Sequence, residues 1–153
     1  MSMRVQVVAG ALVVSLAACG VVFAAAGGIR ARPDLVVSSL SMAPVVVLQG
    51  SSFPVKDTTR NVGGATAVPG TTQYYLSTGG HRTAIGRRLV PRLKPQGSST
   101  HSATAKVPVT LEGGTYSLIA CADGTHIVRE SNERNNCRAA ARKVIVKKPP
   151  PRV

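Results

Sequence analysis

No tryptophan occurs in the 153 residues, and the aromatics stop at two phenylalanines and three tyrosines. An interior built this way must be closed by β-branched and short aliphatic side chains. So few rings also count against a nucleic-acid surface, which normally stacks bases on aromatics. Acids are scarce too: six Asp and Glu face 19 Lys and Arg, for a net charge of +13. The three histidines, His81, His101 and His126, are scattered, and only His126 lies near carboxylates, with Glu130 four residues on. No Gly-x-Ser-x-Gly elbow, phosphate loop or His-Glu-x-x-His motif is present. These absences leave no constellation for catalysis, no catalytic residue to name, and no cofactor motif.

What is present begins with an apolar run. Val5–Gly28 carries only Gln6 and Ser15 as polar interruptions and follows a single charge, Arg4. A lightly positive start, an apolar stretch and small residues near its end describe an export signal over residues 1–26. Ala24-Ala25-Ala26 offers small residues for cleavage after Ala26. Leu16-Ala17-Ala18-Cys19-Gly20 instead matches a lipobox, with Cys19 as the lipidated residue. The run is also long enough for an uncleaved membrane anchor, and all three readings stay open. Each places the rest of the chain outside the cytoplasm, secreted or held at the cell envelope.

After that segment no helical period is sustained. Short β-branched runs separated by Gly, Pro, Asn and Ser predict seven strands and an immunoglobulin-like β-sandwich. They cover Asp34–Met42, Ser51–Asn61, Thr71–Ser77, Thr83–Leu89, Ser99–Val107, Thr115–Ala122 and Asn136–Val146. The two-residue period puts Phe53, Val55, Asp57 and Thr59 on one face, and Thr72, Tyr74 and Leu76 on another. Pro54 should sit where its missing N–H has no partner. Tyr74 is expected to take part of the central packing role, and Tyr116 fits either a tyrosine corner or an ordinary core position. The single domain spans residues 32–146, and residues 147–153 form a Pro- and Lys-rich flexible tail.

The densest polar stretch is C-A-D-G-T-H-I-V-R-E-S-N-E-R-N-N-C, from Cys121 to Cys137. With Cys19 in the leader segment, Cys121 and Cys137 remain as a pair, and an oxidising compartment predicts a disulfide closing this hairpin. Asp123, Glu130, Asn132, Glu133 and Asn135 carry the oxygen ligands that Ca2+ prefers, of which it takes roughly six to eight. Their spacing departs from the EF-hand, and Asn and Asp more often satisfy turn amides. A structural turn is therefore the reading, with Ca2+ as the minor alternative and no other metal. The charge surplus favours a polyanion, with the densest basic patch at Arg82, Arg87, Arg88, Arg92 and Lys94 and a second at Arg138, Arg142, Lys143, Lys147 and Lys148.

A family pattern runs through the same residues. Pro33-Asp34-Leu35-Val36-Val37, Arg60-Asn61-Val62-Gly63, Tyr75-Leu76-Ser77, Gly114-Thr115-Tyr116, Ala122-Asp123 and Glu130-Ser131-Asn132-Glu133-Arg134-Asn135-Asn136 occur in order. The set resembles the CARDB domain, the cell adhesion related domain found in bacteria. That resemblance implies a fibronectin type III-like sandwich over about residues 32–146, and a non-catalytic module of cell-surface adhesion or protein–protein contact. The alternative is a cationic binder of envelope glycans or lipid head groups. Cysteines at the positions of Cys121 and Cys137 recur in a subset of such domains. Thr59 departs from the family, which usually carries a larger apolar residue there.

Overall fold

The computed structural model describes residues 30–151. The expectations for residues 1–26, including Cys19 and cleavage after Ala26, lie outside the described residues, as do Arg152 and Val153. All regular structure among the described residues is β: β1 (Leu35–Leu40), β2 (Val46–Leu48), β3 (Ser52–Asn61), β4 (Gly70–Thr78), β5 (His81–Val90), β6 (Ser98–Lys106), β7 (Gly114–Cys121) and β8 (Cys137–Lys147). They form a three-stranded sheet, β1-β3-β6, and a five-stranded sheet, β2-β8-β7-β4-β5.

Each of the seven expected strands is found within one to two residues of its expected ends, and β2 is an addition. Pro44 explains why β1 and β2 are separate, because a residue without an N–H cannot continue a ladder. The chain leaves β3 after Leu40, buries Ala43 and crosses to run parallel to β8, pairing Val46 with Ile145. Three residues with no alternation of their own carry little periodic signal, so β2 was not separable in sequence. Pro54 lies beyond the last β1 partner of β3, since Leu40 pairs with Asp57 and the Ser41 amide bonds the Lys56 carbonyl. Its missing donor therefore faces no strand.

Strict alternation on β3 sends Phe53, Val55, Asp57, Thr59 and Asn61 inward. Facing them are Thr72, Tyr74 and Leu76 of β4, Leu118 and Ala120 of β7, and Val144 and Val146 of β8. Tyr74 is the largest side chain that is fully buried, and it fills the centre that tryptophan occupies in antibody domains. Burial and then its bond to Asp57 push its hydroxyl pKa well above the usual tyrosine value. Tyr116 donates from its hydroxyl to the Glu112 carbonyl at 2.9 Å, the four-residue reach of a tyrosine corner.

Two turns depend on glycine. Gly79 and Gly80 join β4 to β5 with φ of 54° and 84°, the mirror-image turn that matches strand twist. At Gly63 a Cβ would come within 2.4 Å of the Arg32 carbonyl oxygen, so the Asn61-Val62-Gly63 corner lies directly on the entry to β1. Asn61 fastens that corner. Its Oδ1 accepts from Asp34 N (3.1 Å) and Gly63 N (3.0 Å), and its Nδ2 donates to the carbonyls of Ala65 (2.8 Å) and Leu93 (3.0 Å).

Candidate functional site

The β7–β8 hairpin is closed at its neck, where Cys121 and Cys137 stand opposite each other in register with their sulfurs 2.07 Å apart, at disulfide distance. Above the neck, Asp123 takes a positive φ of 44° and accepts the amides of Ile127 (3.1 Å) and Val128 (2.9 Å). Val128 is thereby drawn into the core. Glu133 Oε1 accepts the Glu130 amide at 2.9 Å, and Asn132 Oδ1 accepts the Arg134 amide at 3.1 Å.

Glu130 is 2% exposed and ties the hairpin to the first strand. One carboxylate oxygen accepts the Leu35 amide, and the other accepts Asn136 Nδ2 at 2.6 Å. Beside it, the Ser131 amide bonds the Pro33 carbonyl (2.9 Å) and Asn135 Nδ2 bonds Asp34 Oδ1 (2.8 Å). Burial raises the Glu130 carboxyl to about 7, with Glu133 and Asp123 adding to the effect and the bonds from Leu35 and Asn136 opposing it. Asn135 Oδ1 and Asn136 Oδ1 are buried with no hydrogen-bond partner among the described residues.

The oxygens of Asp123, Glu130, Asn132 and Glu133 thus accept amides of the hairpin and of β1's entry, as in a structural turn, while those of Asn135 and Asn136 do not. Among the described residues no three His, Cys, Asp or Glu side chains are grouped to hold a metal ion. His126 is exposed and makes no hydrogen bond with Glu130, which is buried and bonded elsewhere.

The expected basic patch is not one patch, and Arg88 is its main correction. Arg82 and Arg87 are exposed on β5, and Arg92 and Lys94 lie in the loop beyond its far end. Arg88 instead points inward and is 7% exposed. Its Nε and Nη2 each lie 2.7 Å from an oxygen of Asp57, which is fully buried on the opposite sheet. Around this fork, Tyr74 Oη donates to Asp57 Oδ1 (2.6 Å), and Arg88 donates to Ser99 O (2.9 Å) and Thr59 Oγ1 (3.2 Å). Thr59 and Thr72 hydroxyls pair at 2.6 Å. Burial is the largest single influence and works against the Arg88 charge, but the hydrogen bond and charge attraction of Asp57, with Tyr74 adding, together outweigh it and the pKa ends above the usual arginine value. This network accounts for Thr59, where a larger apolar side chain would break it. The period of two put Asp57 and Thr59 on one face with Phe53 and Val55, but nothing in the sequence linked that face to Arg88, 31 residues further on.

On the outer face of the five-stranded sheet, Arg82 lies over the Tyr75 ring at 5.9 Å from its centroid. Its Nη1 is 3.6 Å from Cys121 Sγ and 3.7 Å from Cys137 Sγ. Tyr75 in turn donates from its hydroxyl to Gln73 Oε1.

Comparison with known proteins supplies a family. The CARDB family model matches residues 32–140. A CARDB domain from Pyrococcus furiosus, solved in complex with di-metal ions, is similar at 24% identity and a TM-score of 0.54, covering 75% of this chain and 94% of that one. A domain of a candidate cell surface protein from Methanosarcina acetivorans is similar at 23% identity and a TM-score of 0.53, covering 76% of this chain and 93% of that one. No curated protein matches the sequence.

Proposed function

This chain belongs to the CARDB family, and on that premise we propose that it is an exported, non-catalytic module that offers its sandwich surface to a partner in adhesion or protein–protein contact at the cell envelope. The observation that carries this reading is the use made of the family's signature residues. Asp123, Glu130, Glu133, Asn135 and Asn61 all hold backbone or neighbouring side chains, so they maintain a shape and are not aimed at a substrate. Export is supported by the apolar leader of residues 5–28 and by the cysteine pair at disulfide distance. We take residues 1–26 as a signal or anchor and 32–146 as the one folded domain, to which Lys147 is added because it pairs with Leu48 at the end of β8. Crosslinking on intact cells tests the reading: a saturable partner recovered with the chain supports it, and recovery of the chain in the cytoplasm with both thiols free overturns it.

A second reading, binding of an envelope polyanion, is favoured by how the fold sorts charge. Three of the six carboxylates, Asp57, Asp123 and Glu130, are buried, whereas Arg88 is the only buried basic side chain among the described residues. The surface is therefore more one-sided than the composition.

A further inference from the structure

Asp57 is the only acidic residue in any of the eight strands, and it is buried. Both outer sheet faces thus carry cations without a single carboxylate between them. On the three-stranded sheet these are Lys56, Arg60 and Lys106; on the five-stranded sheet they are Arg82, Arg87 and Lys143, with Lys147 at the far end of β8 beside β2. The two sets differ in how they are held. Arg60 is engaged by Gln96 Oε1 at 2.7 Å, at the rim of its sheet. Arg82 lies over the Tyr75 ring and near both cysteine sulfurs, and Lys143 is anchored by Ser117 Oγ at 2.6 Å. A cation already fixed in place loses less side-chain freedom on binding, so it binds more tightly at equal charge.

We infer that the outer face of the five-stranded sheet is the binding surface for a linear anionic polysaccharide, with Arg82, Arg87 and Lys143 contacting its acidic groups. The inference rests on the polyanion reading above. Between the cations stand Gln73, Ser77 and Ser117, neutral groups that suit sugar hydroxyls. The Tyr75 ring is covered by Arg82, so it offers no platform for a base. The exposed apolar side chains of this face are split between its two sides, Leu89 on β5 and Val46, Leu48 and Ile145 on β2 and β8, and form no continuous patch across it, which disfavours insertion into a bilayer.

The test is salt elution of the full chain from heparin, a sulfated, uronate-bearing polysaccharide. Beside it run R82Q/R87Q/K143Q and a variant with the same charge loss on the other sheet, K56Q/R60Q/K106Q. The first should bind about tenfold or more weakly, and the second should stay within about twofold of the parent. Equal weakening of both variants overturns the assignment to this face and leaves the polyanion reading standing. Failure of the parent chain to bind at low salt overturns both. Tighter binding to inorganic polyphosphate or to anionic phospholipid vesicles than to heparin overturns the polysaccharide class. R87Q/K143Q, which leaves the contacts of Arg82 intact, should lose about fourfold or more, and it decides the matter should the triple variant melt early.

Discussion

Asp57 and Arg88 show how far parity along a strand can be read, and where it stops. Alternation put Asp57 on one face with Phe53 and Val55, which the fold turns to the core, and a carboxylate facing a core demands a partner; the partner sits on the opposite sheet, where neither spacing nor composition points to it. Removing one member leaves the other charged and buried. Asp57→Ala should therefore lower unfolding free energy by about 3–5 kcal/mol in urea denaturation, whereas Asp57→Ala combined with Arg88→Met should recover a substantial part. A double variant no more stable than the single one would show that the network does not bear on stability.

Glu130 poses a different question at the same scale. Its carboxyl is raised from 4.5 to about 7 by burial, so the folded chain prefers the protonated form more than the unfolded chain does. The resulting stabilisation is complete below the unfolded value of 4.5 and is lost as pH rises through about 7. Melting temperature should fall between pH 5 and pH 8 for this reason. Glu130→Gln, which can still accept the Leu35 amide, should flatten that slope; an unchanged slope would assign it to another group. Nothing in the letters around Glu130 showed that it, rather than the nearby Glu133, would be the buried one.

At the level of elements, hairpins and strands were legible because turn chemistry and a period of two are local signals. The parallel three-residue β2 was not, since its identity comes from β8, about a hundred residues away. The hairpin from Cys121 to Cys137 was legible as a stapled turn, but not as the clasp on β1's entry, because Pro33, Asp34 and Leu35 meet it only in the folded chain. The clasp has two independent supports: the disulfide at its neck and its bonds to that entry. Cys121→Ser/Cys137→Ser should cost about 3 kcal/mol, the chain-entropy estimate for a closed loop of this size. Amide exchange should then quicken at Ile127 and Val128 before it does in β3. Uniform quickening across both sheets would mean that hairpin and sandwich open as one unit.

For the whole molecule, composition showed a surplus of positive charge but not its arrangement. The Asp57–Arg88 pair is the only salt bridge among the described residues, and it is shielded from solvent. Surface ion pairs, which salt would weaken, are therefore missing from the described surface, while repulsion among its unpaired cations remains for salt to screen. The sign of the response follows. Raising NaCl from about 0.01 M to about 0.3 M shrinks the screening length from about 30 Å to less than 10 Å, and the melting temperature should rise. Many proteins with surface salt bridges would show a fall or no change. Neutralising exposed cations on either sheet should raise the low-salt melting temperature and shrink the salt effect in step. Arg88→Met, with a similar change in net charge, should instead lower it, because that arginine is the one described basic side chain held inside. If all these variants shifted together, net charge alone would govern stability, and the separation of a paired interior from an unpaired surface would be wrong.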